Sequence, residues 1–77
     1  MIGYIYIIRN SVNGKFYIGS TNNYHKRKLK HFNQLRKNKH HSVYLQRAFN
    51  KYRESNFEFI LIETCYNYQI REQELLN

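Results

Sequence analysis

The sequence has no aspartate, no proline and a single cysteine, Cys65, in 77 residues. One cysteine cannot build a disulfide framework or a cysteine-rich zinc site. It lies in an apolar and aromatic context and reads as core or loop filler. Acids number only five, all glutamate, against 13 lysines and arginines. A two-metal site built from clustered carboxylates is hard to assemble from so few. A nucleophile triad fails as well, because there is no aspartate and no strained glycine-rich elbow around a serine. No G-x-x-x-x-G-K-[ST] run cradles a phosphate, which excludes an NTPase. Long apolar runs are missing: none approaches the roughly 20 residues of a membrane span, and the strand-like start has no charged leader. No membrane partner and no small-molecule cofactor are therefore expected. Aromatics, by contrast, are abundant, with 8 Tyr and 5 Phe, which argues against disorder. The length fits one domain with a small core.

The net charge of +8 is unevenly spread. Residues 1–53 carry twelve of the 13 cations and no acid, while the remainder carries Arg71 and all five glutamates. The chain thus divides into a +12 part and a −4 tail. Ten cations fall between Lys26 and Arg53. Such a density favours a polyanionic partner, with nucleic acid first; an anionic membrane surface is the second candidate on charge and is set aside because the core takes up the apolar stripes. A merely solvated basic face is the ordinary alternative.

Gly3-Tyr-Ile-Tyr-Ile-Ile8 is rich in β-branched and aromatic residues and predicts a strand. Asn13-Gly14 is a turn signal, and Lys15–Gly19 predicts the second strand of a hairpin. Strand period sets Tyr4, Tyr6 and Ile8 on one face and Ile5 and Ile7 on the other. Thr21-Asn22-Asn23 offers caps for a helix to about Lys37, with Leu29, Phe32 and Leu35 as its buried side. Ser42 caps a second helix, whose Leu45, Ala48, Phe49 and Tyr52 form an apolar stripe. Phe57–Glu63 predicts a third strand, and a helix follows from about Tyr68. The order β-β-α-α-β-α predicts an α+β domain with a small, three-stranded, mainly antiparallel sheet flanked by helices.

Several residues could carry chemistry. Tyr6 and Tyr17 fall on paired strands, Arg27 and His31 share a helix face, and a carboxylate comes late. Phosphodiester hydrolysis needs a proton acceptor, a cation for the developing charge and a metal. Spacing by itself favours the ordinary readings: half-buried strand tyrosines, a solvated helix face and a surface glutamate. Zinc is disfavoured, since His40 and His41 are adjacent and His25 and His31 are six apart. One Mg²⁺ held by a single carboxylate, water and substrate phosphate remains open.

The wording of the strands narrows this. Tyr4-Ile5-Tyr6, ten residues, then Tyr17-Ile18-Gly19 resembles the paired signature of the GIY-YIG nucleases, with Gly3 displaced by one. The match continues through Gly19-Ser20-Thr21, Arg27, His31, His40, Ser42-Val-Tyr-Leu-Gln-Arg-Ala-Phe-Asn-Lys-Tyr52, Asn56-Phe57 and Arg71-Glu72-Gln73. It covers essentially the whole chain and is similar to the phage and intron-encoded homing endonuclease branch. The resemblance implies hydrolysis of DNA phosphodiesters to 5′-phosphate and 3′-hydroxyl with one Mg²⁺ or Mn²⁺ ion. It implies that Tyr6 and Tyr17 are the signature tyrosines, one of them helping to activate or position water. Arg27 would bind the scissile phosphate, and His31 would transfer a proton or contact phosphate. Glu72 would hold the metal, with Glu74 as the alternative. His40 and Lys15, with Lys26, Lys28 and Lys30, would contact the substrate.

A restriction or repair-type nuclease of the same family and a non-catalytic basic DNA-binding module stand as rivals. The resemblance also implies an intracellular setting, in a bacterial or phage-infected host. A single catalytic domain over 1–77 is expected, and an ending inside the helix of Glu72 adds an expectation of C-terminal truncation. The oligomeric state stays open, with a monomer preferred.

Overall fold

The computed structural model describes residues 2–76. Strand β1 (Gly3–Asn10) turns back into β2 (Phe16–Thr21) through a loop built from asparagine side chains. Asn10 Oδ1 accepts from the Val12 N–H at 2.9 Å and Asn13 Oδ1 from the Lys15 N–H at 3.0 Å. Gly14 takes φ 75°, the left-handed conformation that glycine adopts without a Cβ clash. This is the turn that Asn13-Gly14 announces.

Helix α1 (Tyr24–Arg36) starts at Asn23, whose Oδ1 accepts from the Lys26 N–H. Helix α2 (Val43–Tyr52) starts at Ser42, whose Oγ accepts from the Leu45 N–H. Each cap satisfies an end-of-helix donor that would otherwise lack a partner. A short 3-10 turn (Glu54–Asn56) leads into β3 (Phe57–Cys65), and α3 (Tyr68–Leu76) follows. The sheet order is β2-β1-β3, with both pairings antiparallel. The α+β order read from the sequence is the order observed. No helix among the described residues is long and apolar enough to cross a membrane.

Two faces of β1 are covered by different elements. Tyr6 and Ile8 enter the main core with Phe32, Leu35, Leu45, Phe49 and Phe57. Gly3, Ile5 and Ile7 share the opposite face, and Ile5 is fully buried. That face receives α3, because a Cβ on Gly3 would run into the Tyr68 ring, 2.1 Å from Cγ. Glycine there lets the last helix seat against the first strand.

One expected core position is wrong. Leu29 is 64% exposed, and His31 is buried instead beside Phe32 and Leu35. At about 100° per residue, Leu29 lies roughly 110° around the helix from the centre of those three. The tighter i, i+1, i+4 stripe sets the packing face.

Candidate active site

The hairpin register builds the centre of the site. Tyr6 stands opposite Gly19 and Ile8 opposite Tyr17, so both tyrosines rise from the face that α1 and α2 cover. A Cβ on Gly19 would collide with the Tyr6 hydroxyl and sit 2.6 Å from Cζ. The glycine is therefore the floor on which the Tyr6 ring lies. Phe59 of β3 stacks on that ring, with centroids 4.6 Å apart. Gly19→Ala is expected to push Tyr6 out of its seat and lower any catalytic rate at least tenfold. Activity measured beside circular dichroism checks this, and a fully active, normally folded variant would contradict it.

Three buried side chains form a hydrogen-bonded line from that hydroxyl. Tyr6 Oη meets His31 Nε2 at 2.5 Å, and His31 Nδ1 meets His40 Nε2 at 2.7 Å. The protons are fixed from the far end. The Ser42 backbone N–H can only donate, and it donates to His40 Nδ1 at 3.0 Å. Neutral His40 then carries its proton on Nε2 and gives it to His31 Nδ1. His31 in turn carries its proton on Nε2 and donates to Tyr6 Oη. The Tyr6 O–H is left free to donate elsewhere. Gln46 holds the far end of the line. Its Oε1 accepts from the His40 N–H and its Nε2 donates to the Leu35 carbonyl.

Charge states follow from burial. His31 is pushed down to about 3, first by burial and then by the charges of His40, Arg27, His41 and Lys30. It is a neutral imidazole at every working pH. His40 is lowered for the same leading reason. Tyr6 is pushed well above the ordinary tyrosine value by burial and by Tyr17, with Arg27 opposing. Tyr17 is raised as well, by burial and then by Glu72.

The buried histidine makes the fold acid-sensitive. Above about pH 6.5 the unfolded and folded states both hold neutral histidine, so His31 contributes no pH dependence. Below that, the unfolded chain binds a proton that the folded site refuses until about pH 3. Stability is expected to fall by about 1.4 kcal/mol per pH unit through that window. Thermal unfolding of wild type and His31→Gln between pH 7 and 4 checks it; equal slopes would remove His31 as the cause.

Arg27 sits one helical turn before His31, half-buried, and its charge acts on Tyr6, Tyr17 and His31. Glu72 comes from α3, on the other face of the sheet from the tyrosines. The Ser20 hydroxyl of β2 donates to its Oε1, and its charge raises both tyrosines. Other glutamates are engaged elsewhere. Arg71 pairs with Glu63 at 2.9 Å and Glu74 at 4.0 Å, and Arg36 pairs with Glu54 at 2.6 Å. Glu58 stands opposite Arg9 on β1. Between Glu72 and Glu74, it is Glu72 that the fold brings to the tyrosines.

Tyr6, Tyr17, His31, His40, Arg27 and Glu72 are thus brought together. Lys26, Lys28 and Lys30 are exposed along α1. Lys15 stands apart at the hairpin tip, lining a groove that it shares with Tyr17. Sequence reasoning passed over His41, whose Nε2 lies 3.0 Å from Tyr17 Oη, and it passed over Gln46 as a site residue. Neither has a local signal, since their partners lie 24 and 6 residues away.

A family model described as the GIY-YIG catalytic domain matches residues 2–76. This chain belongs to the GIY-YIG family. The GIY-YIG domain is similar to intron-associated endonuclease 1 of Enterobacteria phage T4, with 48% identity over 48 residues. That match takes in 62% of this chain and 20% of the relative, so the chain spans about a fifth of the relative's length. Its fold is similar to the catalytic domain of the homing endonuclease I-TevI, with TM-score 0.88 and 35% identity over 96% of this chain and 84% of that one. A glutamate-to-alanine variant of the I-TevI catalytic domain matches with TM-score 0.82 and 38% identity, over 100% of this GIY-YIG domain and 78% of that chain.

Proposed function

We propose that this GIY-YIG domain is a metal-dependent DNA endonuclease, a homing-endonuclease-like catalytic module that leaves 5′-phosphate and 3′-hydroxyl ends. The observation that carries the reading is the convergence of Tyr6, Tyr17, Arg27 and Glu72 around one buried histidine line. The acid-free first 53 residues supply the field for a phosphodiester backbone.

Glu72 suits a hard divalent cation. Ser20 engages one carboxylate oxygen, the second remains, and Mg²⁺ keeps several waters when a protein offers one carboxylate. When bound, one Mg²⁺ or Mn²⁺ ion neutralises charge on the phosphate and the leaving oxygen. Arg27 binds the non-bridging oxygens, and its planar fork suits a phosphate. Tyr6 holds its proton and donates a hydrogen bond to the phosphate, while His31 steadies its oxygen. It cannot hand that proton to His31, whose Nε2 already bears one.

Tyr17 is not so restricted. Its hydroxyl lies 3.0 Å from Nε2 of exposed His41 and donates there when that imidazole carries its proton on Nδ1. The attacking water gives a proton to Tyr17 Oη as the Tyr17 proton passes to His41. The new hydroxide forms the P–O bond, and the bond to the 3′-oxygen breaks as that oxygen takes up a proton from solvent water. His41 returns its own to solvent.

Plasmid nicking in Mg²⁺ and in EDTA tests the reading. Cleavage is expected in Mg²⁺ alone. Tyr17→Phe and His41→Ala are expected to lower kcat by about 10²-fold at pH 7, and the His41→Ala deficit should shrink as hydroxide becomes abundant. Undiminished cleavage in EDTA would sink the metal, and a wild-type pH profile in His41→Ala would sink the relay.

A further inference from the structure

Beside Tyr17 a groove of about 500 Å³ runs between the β1–β2 hairpin and α2. Apart from Tyr17 at its edge, nothing in the cleavage chemistry uses it. Its lining combines three kinds of group. Phe16, Tyr17 and Tyr44 offer aromatic surface, and Phe16 and Tyr44 are 62% and 86% exposed. Lys15, Arg47 and Lys51 supply three cations, and no acid lines it among the described residues. Asn10 lines it as well. That side chain is 2% exposed, and its Nδ2 is a buried donor with no hydrogen-bond partner. Its Oδ1 is already committed to the Val12 N–H.

Large aromatics left in water beside a groove ask for a flat apolar partner. Three cations with no counter-charge ask for an anion. An unpaired buried donor asks for an acceptor. A nucleotide meets all three demands, with a π-face, a phosphate and base-edge acceptors. A base within an intact duplex is stacked and cannot enter, whereas an unpaired base can.

We propose that this groove is a subsite for an unpaired nucleotide on the DNA strand that passes Tyr17. Phe16 and Tyr44 stack on the base, Asn10 Nδ2 donates to its edge, and Lys15, Arg47 and Lys51 hold the flanking phosphates. The subsite rests on the reading of the chain as a DNA-cleaving enzyme, of which it names the preferred substrate form: DNA opened or bulged next to the cut.

The test measures binding without cleavage. Fluorescent oligonucleotides are titrated with protein in EDTA, one fully paired and one carrying a two-nucleotide bulge. The wild type is expected to prefer the bulged DNA by roughly tenfold. Tyr44→Ala and Phe16→Ala should erase that preference and leave duplex affinity within about twofold, since both side chains are largely in water and their loss does not reach the core. Arg47→Ala with Lys51→Ala should weaken both DNAs and flatten the salt dependence. A wild type with no preference overturns the subsite, as does an equal loss on both DNAs in Tyr44→Ala. Light scattering that shows a dimer broken by Tyr44→Ala, with DNA binding unmoved, gives the groove to a second copy of the chain and also overturns it. No cleavage enters these readouts, so a failure here is distinct from a failure in the nicking assay.

Discussion

Replacing Arg27 with alanine is expected to lower kcat/KM for plasmid nicking by about 10³-fold while the domain stays folded. The guanidinium is half-buried one turn before His31, and its field already reaches both tyrosines. Three losses coincide. The phosphorane charge loses its fixed cation, the phenols lose the charge that opposes their rise, and the phosphate loses its two-pronged register. Alanine is a good helix former, and the Arg27 N–H keeps its bond to the Asn23 carbonyl. Thermal stability should therefore move little. Arg27→Lys restores the charge without the planar fork, so only part of the rate should return. A loss below tenfold in Arg27→Ala would remove the arginine from the reaction.

The second large effect is expected at Glu72. Glu72→Gln keeps the shape of the side chain and an oxygen for Ser20 to donate to, so α3 stays docked. What disappears is one negative charge. Nicking in Mg²⁺ should fall at least 10²-fold, as on loss of a metal ligand. A second readout separates metal binding from activity. Mg²⁺ or Mn²⁺ binds the folded state alone and should raise the melting temperature of the wild type; in Glu72→Gln that rise should vanish. Glu74→Gln should keep both the rate and the metal-induced rise, because Glu74 faces Arg71. If the two variants behave alike, the tail carboxylates act as a general field and Glu72 is not a ligand.

The strands and helices were legible because their signals are local. The two tyrosine triplets carry strand period, Asn13-Gly14 closes the hairpin, and Asn23 and Ser42 stand where the caps are. Which residues the fold gathers was legible in part, and how they are wired was not. Arg27 and His31 share a face by helix period alone. That His31 is buried depends on Tyr6, 25 residues earlier, and His40, nine later. No hydropathy pattern announces a core histidine, and the nearby Leu29 drew the apolar stripe to the wrong side. Gln46 was visible only as one letter of a matched segment. Its work lies in bridging the Leu35 carbonyl and the His40 amide, and those bonds exist only once α1 and α2 are packed.

The Ser20–Glu72 bond spans 52 residues and joins the second strand to the last helix. Seating that helix also requires Tyr68 to close over Gly3, the first residue of the sheet. In chain order the hairpin, α1 and α2 all precede that helix. Among the described residues, none of the last helix belongs to the main core cluster, so its undocking is a local opening that parts the carboxylate from the phenols and leaves the rest of the fold standing.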